Sequence, residues 1–85
     1  MSEVLVGIVT HVFDKINVAA ITLTDGDLSV GDMIHIKGTH TDGSTQIESM
    51  QVEHRQVEKA VKGDGIGLKV GFKTHPHDKV FRVIP

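Results

Sequence analysis

Apolar and polar residues alternate through most of this chain, and the alternation predicts strands. In "VLVGIVTHVF" (4–13), Val4, Val6, Ile8 and Val12 share one parity, and Leu5, Val9 and Phe13 share the other. A strand apolar on both faces belongs at the centre of a sheet or between packed layers. Asp14, Lys15 and Asn17 interrupt it, and "VAAITL" (18–23) resumes as a second strand. "TDGDLSVGD" (24–32) gathers turn formers. "MIHIKG" (33–38) then points Ile34 and Ile36 inward, with Met33, His35 and Lys37 outward. The polar "THTDGS" (39–44) reads as an exposed loop, and "TQIESMQVEH" (45–54) as a longer strand. The inward residues of that strand, Ile47, Met50 and Val52, change parity, which predicts a bulge. A tight reversal follows at His54-Arg55-Gln56, and the one short helical turn falls around Val57 to Val61. "IGLKV" (66–70) and "VFRVI" (80–84) complete the set.

Six or seven short strands joined by glycine-rich turns predict an all-β fold. The expected form is one small closed Greek-key-like β-barrel spanning residues 1–85. Closure removes the open edges along which so apolar a sheet would aggregate.

The stretch "VEKAVKGDGIGLKV" (57–70) raises a choice between a phosphate cradle and the start of a strand. A phosphate loop opens onto a helix N-terminus. Gly63 to Gly67 lead instead into alternating "IGLKV", and no Gly-Lys-Ser/Thr follows. The same phrase also occurs earlier: "LSVGDMIHI" and "AVKGDGIGL" both read apolar, x, x, Gly, Asp, x, apolar, x, apolar. Glycine supplies a positive φ for the turn, and aspartate bonds nearby backbone N–H groups as the strand begins. Gly65 and Gly67 fall on the outward parity, where they allow a close backbone approach or a bend.

Composition narrows the function more than the fold. Nine Lys and Arg against eleven Asp and Glu give a formal charge of −2, so the basic balance of a dedicated nucleic-acid binder is missing. The chain has no cysteine, hence no disulfide and no thiolate metal site. "MSEVLVGIVTHVF" lacks a positively charged start, and no apolar run approaches a membrane span, so a cytoplasmic location is expected.

Six histidines invite a metal reading. His75, His77 and Asp78 in "HPHD" are its best local candidates, with His40 as a remote fourth; the alternative is a solvated loop stiffened by Pro76. His35 and His54 read as surface residues, and no nucleophile, base and orienting partner can be grouped, so no catalytic residue, metal or other cofactor is assigned. His54, Arg55, Lys59, Lys62 and Lys69, with Lys73, form the one basic concentration. It is either an ordinary solvated face or a patch that binds RNA or an acidic protein. No Tyr or Trp is present to stack a base, and Phe13 and Phe81 read as structural.

Taken together, "GIVTHVF", "LSVGDMIHIKG" and "TQIESMQVEHRQVEKAVKGDGIGLKV" resemble the second domain of translational GTPases, the elongation-factor-Tu-like β-barrel, over roughly residues 4–84. The resemblance implies a domain II-type barrel. It also implies a binding module without enzymatic activity, associated with ribosomal or transfer RNA or with a protein partner. An accessory barrel within a larger assembly is the alternative, and a metal-binding protein a more distant one. The phosphate loop and the Asn-Lys-x-Asp motif of a GTPase are absent from the sequence, so neither nucleotide binding nor GTP hydrolysis is implied.

Overall fold

The alternating segments become strands in the computed structural model, which describes residues 2–85. In chain order they are β1 (Ser2–Phe13), β2 (Val18–Leu23), β3 (Leu28–Ser29), β4 (Met33–Lys37), β5 (Asp42–Gln46), β6 (Met50–Val52), β7 (Arg55–Val57), β8 (Lys59–Ala60), β9 (Gly65–Lys69) and β10 (Lys79–Ile84). Eight of them form one antiparallel sheet in the order β5-β4-β10-β1-β2-β9-β6-β7, and β3 pairs with β8 in a separate ribbon. The domain is all-β. Among the described residues the helical structure is a 3-10 turn at Asp14–Ile16, closed by Asn17 in the left-handed region (φ 54°). Among the described residues no helix is long and apolar enough to cross a membrane.

The core is built from the inward positions of every long strand: Val6, Val9, Ile21, Leu23, Ile34, Ile36, Leu68 and Val80, joined by Leu28, Ile47 and Met50. Burial of these branched chains is the main favourable term in folding, at about 25 cal/mol per Å² of apolar surface. The double parity of β1 has a geometric cause. Its pairing with β10 shifts between Leu5 and Gly7, and its pairing with β2 shifts between Val9 and His11. Each irregularity reverses which residues face inward. Val6 and Val9 are therefore both buried, while Val4 and Phe13 are exposed. The expectation that Phe13 is structural is corrected by this.

Three local expectations are also corrected. The segment 39–44 is not all loop, because β5 begins at Asp42 and pairs with β4. Residues 45–54 do not make one strand: Ile47 turns into the core after β5, and β6 begins only at Met50. The reversal lies at Glu53-His54, both with positive φ (50° and 65°), between Val52 and its partner Arg55. Two positive φ values are what a two-residue hairpin loop needs to match strand twist. No helical turn forms at 57–61, where β8 pairs with β3 and the Val30 N–H donates to the Glu58 carbonyl.

The repeated Gly-Asp phrase folds as expected, and a third copy accompanies it. In Ser29–Asp32, the Asp32 carboxylate accepts the Ser29 N–H at 2.9 Å, and the Asp32 N–H returns to the Ser29 carbonyl at 3.1 Å. Gly31 has φ 96°; its N–H donates to the carbonyl of Ile47, whose own N–H donates to the Asp32 carbonyl. Val61–Asp64 repeats every one of these bonds, with Gly63 at φ 99° and Leu23 in the place of Ile47. His75–Asp78 repeats them again. Asp78 accepts the His75 N–H at 2.8 Å, and Val9 plays the part of Ile47. His77, at φ 76°, occupies the glycine position.

The third copy departs from the apolar pattern at two sites, Thr74 where the others have Leu28 and Ala60, and Arg82 where they have Ile36 and Leu68. The buried side-chain atoms without a hydrogen-bond partner among the described residues are Thr74 Oγ1 and Arg82 Nε. The mismatches in sequence coincide with the unsatisfied atoms in structure. Four substitutions follow, each measurable by urea unfolding. Gly31→Val or Gly63→Val should cost about 1–3 kcal/mol through left-handed strain. His77→Gly should stabilise by roughly 0.5–1 kcal/mol, strain relief outweighing the added chain entropy. Thr74→Val should stabilise by about 1 kcal/mol, since it removes an unpaired buried hydroxyl at nearly constant volume.

Candidate functional site

The outward faces of β2 and β9 carry small residues side by side. Register places Ala20 opposite Gly67 and Gly67 opposite Gln51, while Thr22 faces Gly65 and Val18 faces Lys69. A Cβ added at Gly65 would meet nothing within 4 Å, and one at Gly67 would meet only Val18 Cγ1, at 3.8 Å. These glycines admit no neighbouring backbone, contrary to the close approach expected as one of their two roles. They lower the floor of a groove of about 640 Å³. Phe13 and Ile16 line it from the 3-10 turn region, and Glu53 and His54 from the β6–β7 hairpin. Ile16 is 59% exposed and Phe13 47%. A large apolar side chain left in water beside an unfilled floor marks a surface that gains by being covered.

The basic residues expected to share one face divide between two places. His54 and Lys69 line this groove. Lys59 and Lys62 lie at another depression with Asp25, Asp27, Asp32 and Arg82, where Asp27 accepts the Lys62 N–H at 3.0 Å. Arg55 stands beside the hairpin turn at the start of β7 and lines neither. The groove itself was not legible as a site in the sequence. The one signal was Gly65-x-Gly67 on the outward parity of a strand, which read as a feature of the backbone rather than of the surface.

The "HPHD" segment is occupied by structure. Asp78 is buried and holds the His75 N–H, while His77 serves the turn. His75 Nδ1 is hydrogen-bonded to the Thr41 hydroxyl at 2.8 Å, and its ring lies 6.0 Å from that of His40. The structure thus brings His40 to His75 and leaves His77 to the turn. Among the described residues no group of three or more His, Asp or Glu side chains is placed to hold a metal ion.

Over 81 residues, 94% of its length, the chain is 36% identical to a collagenase of Porphyromonas gingivalis strain ATCC BAA-308 / W83. Over 80 residues it is 35% identical to an uncharacterised protease of Methanocaldococcus jannaschii. The named relatives are proteases. The chain spans only about a fifth of their lengths, 20% and 19% respectively. No family model matches it. In fold it is similar to the C-terminal domain of a protein assigned as a U32 peptidase in Geobacillus thermoleovorans. One crystal structure of that domain superposes with a TM-score of 0.86 over 93% of this chain and 91% of that one. A selenomethionine variant gives 0.83 over 89% and 95%. Both are 16% identical to this chain, a level at which the likeness concerns the fold.

These findings correct the resemblance to elongation-factor domain II, and with it the expected role as an RNA- or translation-associated module. The short Gly-Asp turns that carried the resemblance are a local solution to starting a strand and carry no family identity. The expectation of a chain outside enzymology is corrected as well, since its relatives are named as enzymes. The groove geometry carries its own test. Gly67→Val should fold normally and gain up to about 1 kcal/mol in urea unfolding, because a β-branched residue suits a strand and finds free space. A loss of similar size would mean that the floor is closed.

Proposed function

We propose that this chain acts in a peptidase of the U32 type as its C-terminal-type β-domain, and that the β2–β9–β6 groove holds an extended polypeptide for cleavage. The observation that carries the reading is the match to a collagenase over 94% of this chain, in a domain whose glycine-floored groove is open. Extended, proline-rich chains dock on shallow grooves walled by aromatic side chains, where they lose little entropy on binding. Phe13 and Ile16 supply the apolar wall, Gln51 and Ser49 offer amide and hydroxyl groups to the peptide backbone, Lys69 gives the rim positive charge, and His54 adds its ring nitrogens. The occupant is thus a collagen-like or gelatin-like strand, and peptide-bond hydrolysis belongs to the larger protein in which the domain works.

The architecture in this reading is one closed barrel formed by residues 1–85. Strand β3 leads into β4 near one end of the large sheet, and β8 follows β7 at the other, so the β3–β8 ribbon draws the two ends together. The Val30 amide, bonded to the Glu58 carbonyl across this seam, reports on closure. In a closed barrel its hydrogen exchange matches that of β9; exchange near the rate of a free loop would mean an open sheet.

Binding is tested by titrating labelled gelatin fragments against the wild-type chain and Gly67→Val. The wild type should bind and the variant should lose at least about tenfold in affinity, equivalent to about 1.4 kcal/mol, with its fold intact. Equal binding by both would remove the groove from the account, and no binding by either would remove the polypeptide.

A further inference from the structure

On the outward face of β4, away from the groove strands, one imidazole is gripped from two directions. His35 projects from β4, with Phe81 of β10 and Ser44 of β5 opposite it. Its Nδ1 lies 2.8 Å from a Glu3 carboxylate oxygen on β1, and its Nε2 is hydrogen-bonded to the Asp42 carboxylate at the start of β5. The His35 side chain is only 16% exposed, while Glu3 and Asp42 reach it from solvent. The two carboxylates come from opposite flanks: β1 is separated from β4 by β10, and β5 is an edge strand paired only with β4.

We propose that His35 is a proton-operated latch, which as imidazolium ties the edge strand β5 and the start of β1 to the sheet, and on losing its proton releases β5. A carboxylate offers only acceptors, so two carboxylates on one ring require both ring nitrogens to donate. A neutral imidazole has one N–H; whichever carboxylate faces the other nitrogen then meets a lone pair. Asp42, with its side chain 70% exposed at a strand end, is the partner free to leave, whereas Glu3 lies within the longest strand.

The charges around the ring support this assignment. Facing it are Glu3 from β1 and Asp42 from β5; β10 presents the uncharged Phe81, with Lys79 two residues away opposite Lys37 of β4. The hydrogen bond to Asp42 is the largest influence and raises the His35 pKa above its ordinary 6.5; partial burial opposes it, and Glu3 adds to the rise. The same bond lowers the pKa of Asp42 from its ordinary 3.8. The signs then fix the window. The raised histidine contributes fully below 6.5 and loses its contribution as pH climbs through the folded value. The lowered aspartate contributes above 3.8 and loses its contribution as pH falls through its folded value. The latch is closed between these limits and opens on the alkaline side. An edge strand released from its tie is a template on which another strand can pair.

The test is amide hydrogen exchange on the full chain between about pH 5.5 and about 9, with His35 followed through its ring protons by NMR. After correction for intrinsic exchange, protection of residues 43–46 should fall by about threefold relative to β9 as His35 deprotonates, the size expected for losing one largely exposed ion pair. In Asp42→Asn the fall should move to lower pH, together with the titration of His35. The proposal is overturned if β5 and β9 lose protection in parallel, if β5 keeps its protection through the titration, or if Asp42→Asn leaves the titration where it was.

Discussion

The fold hangs on one local device used three times, an aspartate whose carboxylate holds the backbone N–H three residues earlier while a left-handed residue sits between them. Each device fixes the entry of a core strand: β4, β9 and β10 begin within a residue of Asp32, Asp64 and Asp78. Each is also bonded in both directions to a buried residue on a distant stretch, namely Ile47, Leu23 and Val9. Local turn chemistry and long-range sheet geometry therefore specify the same register. That agreement across levels is what lets a chain of only 85 residues settle on one arrangement.

With the strand starts fixed, the outward positions of β9 are freed from any packing duty. Ile66 and Leu68 meet the core, and Gly65, Gly67 and Lys69 face away from it. The same rigidity holds Phe13, Ile16 and the Glu53-His54 hairpin around that surface without further elements to support them. A binding face built on strands keeps its shape when empty, which limits the ordering cost of binding.

Strand identity and inward residues were largely legible because period-two alternation and branched side chains act together in β2, β4, β9 and β10. The paired turns were legible because glycine and aspartate each have a distinct backbone role. The third turn was hidden by His77, which adopts a glycine's conformation without being one, and by Thr74 and Arg82, which break the apolar frame. The groove was hidden for a different reason. A concave surface made of absent side chains leaves no chemical mark in a sequence, and the residues that wall it lie far apart along the chain, at 13–16, 49–54 and 65–69. The His35 grip was equally out of reach, since Glu3 and Asp42 become neighbours only through the β1-β10-β4-β5 order. The Gly-Asp turn motifs misdirected the family reading, because they report how a strand starts and carry nothing about a site.

The central claim is that the glycine-floored face holds an extended polypeptide. Backbone amide shifts of the labelled chain, recorded while a proline-rich collagen-model peptide is titrated in, test it most directly. The account predicts saturable shifts confined to Phe13, Ile16, Ala20, Gln51, His54, Gly65 and Gly67, with β4 and β5 unmoved. Shifts centred on β4 and β5 with the groove silent would contradict it.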